Sequence, residues 1–433
     1  MVGAKVAREN LLAAAVDVDI TPPVGAGFDG YSARQGNSIG VHDPLLAQLL
    51  LLRSGGQATV LIAMDLLGVS LDFTRRVRAG IERAIDVPGH CVMLACAHTH
   101  SGAAGFLPPS PGIRTQPDEE LQDITERKLV GAAIWAQQTL QPARLGVGRG
   151  RVEGLGRNRN DPEKGLADHE VLVLRVDDPA GEPLCVMMNY GCHPTVLGHQ
   201  NLLFSADYPG AARATLHCIY PKTVCMFTNG ASGDVSTRFT RRDQSFSEVE
   251  RMGRMLGGEV LKVMQSIVTQ NATTLFGEVC EVQLKFRPFP APKAAQAEVR
   301  RLKAELERLK ASGTSHGDIR RAHTRVEGAE GQALMSQELS GQTARASQLQ
   351  VLRMGDLALV GMPGEPFSRT VLEIKQQSPC PWTGVVSYAN EDAGYFPDAV
   401  SIADGTYEAL ISPYGADVAE ELRRRALQLL EKG

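Results

Sequence analysis

The amino-acid sequence predicts an α/β fold, with a mixed and largely buried β-sheet core flanked by helices and a helical-hairpin insertion. Three observations support this prediction. Several apolar runs are continuous rather than alternating, as in strands that are covered on both faces. Segments with helical spacing stand between these runs, which is the rhythm of a mixed or parallel sheet. A charged stretch at about residues 292–339 has the pattern of two paired helices.

The individual elements are predicted from these runs and spacings. We predict strands at residues 45–53, 58–64, 91–96, 184–190, 223–228, 349–361 and 384–388. We predict helices at residues 71–84, 119–139, 208–217, 247–269, 366–376 and 417–431. The 44 glycines and 24 prolines favour many turns between short elements. No internal repeat is visible, and we expect a single domain over residues 1–433.

The pattern at about residues 292–339 predicts a helical hairpin. Its apolar residues recur at helical spacing on one face of each half, and a turn with the sequence GTSHGD separates the halves. These residues are Val299, Leu302, Leu306 and Leu309 in the first half, and Ile319, Ala322 and Val326 in the second. The hairpin is either an arm that packs on the body or on another subunit, or a lid over a substrate.

Charge and hydropathy exclude two classes of partner. The formal net charge of −4 provides no overall basic field for nucleic acid. No window approaches the ~18 consecutive apolar residues of a membrane span, so we expect no stable membrane insertion. The N-terminus lacks a signal-peptide pattern, and the eight cysteines include no CxxC pair. We therefore expect reduced cysteines and a cytoplasmic location.

The chemically reactive residues follow the ends of the predicted strands. They are His98 and His100 after residues 91–96, His193 after 184–190, Asp234 and Ser236 after 223–228, Glu365 after 349–361, and Tyr395 after 384–388. In open α/β sheets ligand sites form at this edge, because neighbouring strand ends bring distant residues together. Several of these loops can therefore share one pocket.

His98, His193 and Glu365 are candidate ligands of a zinc ion. Catalytic zinc is bound by about three protein groups, mostly imidazole nitrogens and carboxylate oxygens, and keeps one position open for water. Zinc bound in this way lowers the pKa of that water toward ~7 and polarises a carbonyl group. A His-x-His pair alone is weak evidence, and the second histidine and the glutamate at similar positions strengthen it.

The chain also resembles a known family. The motifs ACAHTHSG, NYGCHPTVLG, SADYPGAAR, NGASGDVS, MPGEPF and YANEDAGYFPD stand in this order. DITPPVG and GYSARQGNSIGVHDPL precede them, and GRNRN stands between the first and the second. Together they resemble the motif series of the neutral/alkaline, non-lysosomal ceramidases, in the N-terminal catalytic domain of that family. The similarity extends over about residues 15–410 and depends on the order of many short motifs.

The resemblance implies a set of metal ligands. In that family zinc is bound by the first histidine of HTH, the histidine of HP, the glutamate of PGE and a later tyrosine. Carried over by motif, these residues are His98, His193, Glu365 and Tyr395. The residues around Tyr395 differ from the threonine-rich stretch that is usual in the family.

The resemblance also implies the groups that act on the substrate. His100 would stand beside the metal and bind the substrate carbonyl, and Tyr407 of the YE pair would donate a hydrogen bond to the developing oxyanion. Arg159 matches an active-site arginine of the NR motif. Ser236 corresponds to a serine that is either a nucleophile or a substrate contact. No base and orienting group can be identified for it, so we place Ser236 in substrate binding. Asp234 either binds the substrate as well or is a hydrogen-bonding partner of a ligand histidine.

Two departures from the family leave the substrate open. Ceramidases proper are secreted or membrane-exposed and continue into an immunoglobulin-like domain. This chain ends after the predicted helix at 417–431, so we expect that domain to be absent. No apolar or basic surface for approaching a bilayer is apparent. The substrate is therefore either ceramide or another small-molecule or lipid-like acyl compound.

The leading functional hypothesis is a zinc-dependent hydrolase. It would cleave an amide, or a related lactam or ester, with metal-activated water. Two alternatives remain: a cyclase or acyl transferase that uses the same zinc site, and a non-catalytic ligand-binding protein on the same scaffold. Homo-oligomerisation also stays open.

Overall fold

The structure, a computed structural model, describes residues 10–110, 115–272 and 274–432. The strands are β1 (Leu12–Asp19), β2 (Gly40–Val41), β3 (Leu46–Ser54), β4 (Gln57–Met64), β5 (Val92–Cys96), β6 (Gln141–Pro142), β7 (Arg144–Arg151), β8 (Arg157–Asn158), β9 (Glu170–Asp177), β10 (Pro183–Tyr190), β11 (Leu203–Phe204), β12 (Val224–Asn229), β13 (Val235–Ser236), β14 (Leu275–Lys285), β15 (Ala344–Met354), β16 (Leu357–Gly361), β17 (Glu365–Pro366), β18 (Trp382–Val386) and β19 (Tyr395–Phe396). The helices are α1 (Leu71–Ile85), α2 (Glu119–Gln138), α3 (Asp207–His217), α4 (Phe246–Met264), α5 (Pro292–Ala311), α6 (His316–Glu338), α7 (Ser368–Gln377), α8 (Ala399–Asp404), α9 (Tyr407–Ile411) and α10 (Ala416–Leu430). The predicted α/β class is confirmed.

Three main sheets share one topology. Their strand orders are β5-β4-β3-β1-β6, β12-β10-β9-β7 and β14-β15-β16-β18. In each sheet four strands form two antiparallel pairings followed by one parallel pairing: β4 with β5, β10 with β12, and β16 with β18. The first sheet has β6 as an additional antiparallel strand beside β1. A parallel pairing requires a crossover, and α1, α3 and α7 provide it. The chain therefore uses one topological unit three times, although no sequence repeat indicates it.

The sheets are buried on both faces. Residues of all three sheets form one central hydrophobic cluster, which includes Leu61, Met187 and Leu359. On its other face each sheet packs against its own helices: α1 and α2, α3 and α4, or α7 and α10. A strand with helices on one side and another sheet on the other has no polar face. This arrangement explains the continuous apolar runs.

One predicted strand is wrong in its extent. The run at residues 349–361 contains two antiparallel strands, β15 and β16, that are joined by a tight turn. Gly355 in this turn has a φ of +61°, a conformation that glycine adopts without a steric penalty. The apolar residues continue across the turn because both strands are buried. Hydropathy therefore did not reveal the reversal.

The helical hairpin is formed by α5 and α6. The two helices bury a shared apolar seam that includes Val299, Leu302 and Val326. On its other side α6 packs closely on α9: a methyl group at Gly328 would lie 2.8 Å from the Leu410 side chain. Within the described ranges, no helix combines the length and the apolar character that crossing a membrane requires.

Candidate active site

The parallel strand pairs of the three sheets converge on one site. His98 follows β5, His193 follows β10, and Glu365 follows β16, so each sheet contributes one of these residues. Main-chain hydrogen bonds join the sheets here: Cys96 N–H donates to Tyr388 O at 3.3 Å, and Ser387 N–H donates to Asn229 O at 2.8 Å. The strand-end positions therefore meet, as the sequence predicts.

His98 is oriented by the main chain of the neighbouring strand end. Its side chain is buried, and its Nδ1–H donates to the Leu67 carbonyl at 2.8 Å. A carbonyl only accepts, so the proton resides on Nδ1 and Nε2 carries a free lone pair. Burial lowers the pKa of His98 to about 3, which keeps the ring neutral. The residue has a φ of +67°, an uncommon conformation outside glycine.

His193 is oriented in the same way. Its Nδ1 lies 2.6 Å from the Ser232 carbonyl oxygen and 3.2 Å from the Val235 carbonyl oxygen, and its N–H donates to these oxygens. Its Nε2 lies 3.1 Å from Glu365 Oε2 but has no hydrogen-bonding partner among the described residues. Burial, aided by the nearby Arg159, lowers the pKa of His193 to about 3. A neutral imidazole with a buried lone pair can bind a metal ion through that nitrogen.

His100 completes a cluster of three histidines. One ring nitrogen from each of His98, His100 and His193 lies within 4.8 Å of the others. Neither nitrogen of His100 has a partner among the described residues, and burial lowers the pKa of its ring well below 6.5. A main-chain carbonyl fixes the tautomer of His98 and of His193, but no carbonyl among the described residues does so for His100. The cluster is a group that could hold a metal ion.

Glu365 and Tyr395 face each other across a short parallel pairing. β17 and β19 place Glu365 opposite Tyr395 in register. Glu365 accepts a hydrogen bond from Tyr395 and, at Oε2, one from the Tyr388 hydroxyl at 3.1 Å. Burial raises the pKa of Tyr395 well above 10, so its oxygen is held as a phenol. With the imidazoles, this carboxylate forms a nitrogen and oxygen donor set that fits zinc.

Arg159 connects Tyr395 to α9. Its Nη2 donates to the Tyr395 hydroxyl at 3.0 Å and to the Gly233 carbonyl at 2.6 Å. Its Nε lies 2.7 Å from Oε1 of the buried Glu408. Tyr407 precedes Glu408 in α9 and lines the cavity, and burial raises its pKa to about 12. Tyr407 thus keeps its proton at neutral pH and can donate a hydrogen bond.

The carboxylate of Asp234 is occupied by contacts with the protein. It accepts from the Ser368 main-chain N–H and hydroxyl, each at 2.8 Å, and from the Asn158 amide at 2.9 Å. The Ser236 oxygen accepts from the Arg238 main-chain N–H at 3.4 Å. Among the described residues, neither Asp234 nor Ser236 lines the cavity. Their roles in substrate binding stay predictions, and the contacts show that both side chains are bonded to other parts of the protein.

A cavity of about 360 Å³ opens at the histidine cluster. Its polar lining includes His98, His100, Glu365, Tyr395 and Tyr407. Its apolar lining includes Leu107, Pro108, Pro109, Phe286, Leu334, Met335, Leu339, Ile411 and Pro413. Three of these apolar residues come from the end of α6 and the residue after it. The hairpin therefore packs on the body and also forms a wall of the cavity.

Sequence patterns did not indicate three further residues at the site. Ser232 supplies the carbonyl for His193, Tyr388 contacts Glu365, and Asp392 Oδ2 lies 3.8 Å from His98 Nδ1. Burial raises the pKa of Asp392 to about 8. Tyr388 ends the run at 384–388 and Asp392 follows it, so the positional signal that selected Tyr395 also applied to them.

Gly30 lies directly against the ring of His100. A methyl group on Gly30 would lie 2.6 Å from His100 Nδ1. We expect Gly30→Ala to displace this ring and to lower kcat/KM for the substrate by about 10- to 100-fold, while metal content is kept. Gly25→Ala is the matched control, since Gly25 has a similar φ (+102° against +94°) and no atom within 4 Å of the added methyl group. Equal kcat/KM values for the two variants would contradict this role.

Comparison with known proteins identifies similar chains. The model of the family described as neutral/alkaline non-lysosomal ceramidase, N-terminal, matches residues 13–243. A neutral ceramidase of Pseudomonas aeruginosa is 28% identical over 207 residues, which are 43% of this chain and 30% of the relative. Neutral ceramidase A of Dictyostelium discoideum is 30% identical over 139 residues, 28% of this chain and 19% of the relative. The matched segments thus span less than a third of these relatives.

Solved structures extend the similarity in fold to nearly the whole chain. A crystal structure of the neutral ceramidase from Pseudomonas aeruginosa aligns with a TM-score of 0.73 and 19% identity, covering 98% of this chain and 75% of that one. A ceramidase complexed with C2 aligns with a TM-score of 0.75 and 19% identity, covering 98% of this chain and 76% of that one. At this identity the match establishes the fold.

Proposed function

Because the chain belongs to the neutral/alkaline non-lysosomal ceramidase family, whose model covers residues 13–243, we propose that it is a zinc-dependent amidohydrolase. The observation that carries the proposal is the state of the histidine cluster. His98 and His193 each have Nδ1 bound to a main-chain carbonyl and Nε2 directed to the same buried site as Glu365. Histidines that bind a metal typically donate their other ring N–H to a carbonyl or a carboxylate in this way.

Each residue of the site has a role in the proposed reaction. His98, His193, Glu365 and Tyr395 would hold the ion. Zinc at this position supplies a water of lowered pKa and a Lewis acid for the scissile carbonyl. His100 binds the carbonyl oxygen of the substrate. The remaining two roles belong to Tyr407 and Arg159.

Tyr407 acts on the substrate, whereas Arg159 acts on Tyr395. Tyr407 keeps its proton and donates a hydrogen bond to the oxygen on which negative charge develops. Arg159 is neutralised by Glu408 and fixes the hydroxyl of Tyr395. The position of the Tyr395 hydroxyl is set before the substrate arrives, because buried contacts hold Arg159. Electrostatic stabilisation by fixed donors is a large part of catalysis in acyl transfer.

The cavity supports an N-acylated amine with an apolar acyl group as the substrate. Its lining beyond the histidines is largely apolar, and such surfaces bind hydrocarbon rather than charged groups. The related proteins are named neutral ceramidases, which suggests a lipid amide as the substrate of this chain. The volume of about 360 Å³ favours a single acyl chain within the cavity over two chains.

The proposed function is tested with a release assay. Purified protein with zinc restored is given N-acyl amines of increasing chain length, a lactam and an ester, and the released amine or acid is measured. We expect hydrolysis of the N-acyl amines, with a preference for an apolar chain over an acetyl group of at least about 10-fold in kcat/KM. Amide formation with excess amine, without net hydrolysis, would favour the acyl transferase alternative. No turnover of any compound would contradict the proposal.

A further inference from the structure

Tyr388 is a buried residue that contacts the candidate ligands from behind the cavity. Its side chain is fully buried, and it does not belong to the described lining of the cavity. Its ring stacks on the ring of His98, with centroids 3.9 Å apart and planes 9° apart. Its hydroxyl lies 3.1 Å from Glu365 Oε2. A substrate in the cavity would not reach Tyr388, so any role in the reaction acts through the ligands.

The hydrogen bonds of the Tyr388 hydroxyl have a defined direction. The hydroxyl lies 2.8 Å from the Ser232 hydroxyl as well as 3.1 Å from the Glu365 carboxylate. An ionised carboxylate only accepts, so Tyr388 donates to Glu365 and Ser232 donates to Tyr388. The carbonyl of the same Ser232 accepts from His193 Nδ1 at 2.6 Å. Tyr388 is thus connected to His98 by stacking, to Glu365 directly, and to His193 through Ser232.

The backbone at Tyr388 supports a specific requirement for its position. Tyr388 has a φ of +54°, which is unusual for a bulky aromatic residue. The conformation is held by main-chain bonds on both sides: Tyr388 N–H donates to Gly364 O at 3.0 Å, and Cys96 N–H donates to Tyr388 O at 3.3 Å. Such strained residues persist where the surrounding structure fixes them, and they cluster at functional sites.

We propose that Tyr388 is a positioning residue that holds His98, His193 and Glu365 in the arrangement that binds the metal. The inference rests on the proposed function, because it presumes that these residues bind zinc. Stacking fixes the plane of the His98 ring, and the hydroxyl fixes one oxygen of Glu365. Without the hydroxyl, Glu365 Oε2 loses its donor, and the carboxylate is no longer held in one orientation.

The experiment measures zinc affinity in metal-free protein by competition with a chelator. Tyr388→Phe keeps the ring and removes only the hydroxyl. We expect its dissociation constant for zinc to rise by about 10- to 100-fold, as is usual for partners of metal ligands. The absorption spectrum of the Co²⁺-substituted protein should change as well, because the geometry of the ligand set changes.

Tyr190→Phe is the matched control. Tyr190 is also buried, and its hydroxyl donates to the Val152 carbonyl at 3.0 Å, outside the described lining of the cavity. Each variant loses one buried hydroxyl, so the two should lose similar stability toward urea. Only Tyr388→Phe should lose zinc affinity and change the Co²⁺ spectrum.

The outcomes separate this inference from the proposed function. If the wild type binds zinc tightly and Tyr388→Phe matches it, the role of Tyr388 is overturned and the proposed function stands. If the wild type does not bind zinc, both are overturned. Should Tyr388→Phe fail to fold, Ser232→Ala decides the matter. A several-fold weaker zinc affinity of that variant supports the inference, and an unchanged affinity overturns it.

Discussion

His193→Ala is expected to lose bound zinc and to lower kcat/KM for an N-acyl amine by at least about 1000-fold, or ~4 kcal/mol of transition-state stabilisation. His193 Nε2 is a buried nitrogen without a hydrogen-bonding partner among the described residues, and it lies 3.1 Å from Glu365 Oε2. Alanine removes the nitrogen that would bind the metal and leaves the Glu365 carboxylate without this neighbour. The loss should appear in metal content and in kcat, since the residue is not a substrate contact.

His199→Ala is the control for this prediction. His199 is an exposed histidine six residues farther along the chain. Its replacement should leave zinc content and turnover unchanged, which shows that the loss is specific to the cluster. A His193→Ala variant that keeps its zinc and most of its kcat/KM would contradict the assignment of His193 as a ligand.

Arg213→Leu is expected to lower the free energy of unfolding by about 3–5 kcal/mol. Arg213 in α3 binds Asp65, at the end of β4, through two hydrogen bonds of 2.7 and 2.5 Å. Both side chains are buried, with exposed fractions of 5% and 1%. Leucine leaves the Asp65 carboxylate in the interior without a counter-charge. Urea denaturation followed by circular dichroism measures the change.

Two further variants test the electrostatic cause of this loss. Asp65→Asn in the Arg213→Leu background removes the unpaired charge and keeps an oxygen for the Leu46 main-chain N–H, so we expect it to recover at least ~1 kcal/mol. Arg254→Ala breaks an exposed pair with Glu250 and should change stability by no more than ~0.5 kcal/mol. A double variant that is less stable than Arg213→Leu would contradict the explanation.

The convergence of the site was predictable from the positions of its residues. His98, His193 and Glu365 each follow a continuous apolar run, and such runs are strands whose ends carry ligand sites. The three strands belong to three different sheets, and their ends still meet at one site. Burial on both faces makes these strands easy to find. It also leaves no sign in the sequence of which strands belong to the same sheet. The strands of all three sheets bury apolar side chains in one central core, so their hydropathy does not distinguish three sheets from a single one. The threefold use of one unit therefore appeared only in the structure.

Other features depend on contacts between residues that are distant in the sequence. β7 is rich in glycine and arginine, and β14 carries charged residues along an edge, so neither resembles a buried run. Asp234 has a chemically reactive side chain, but its partner Ser368 lies 134 residues away. The contact of Tyr388 with His98 also spans separate sheets. Motifs reveal which residues are reactive, whereas tertiary contacts decide which of them face the substrate.

The central claim is that hydrolysis depends on zinc held by the histidine cluster. The most direct measurement is a titration of metal-free wild-type protein with zinc, in which the release of amine from an N-acyl amine is measured at each addition. We predict that activity rises in proportion to bound zinc and reaches its plateau at about one ion per chain. Full activity in the metal-free protein, or activity that does not follow zinc occupancy, would contradict the account.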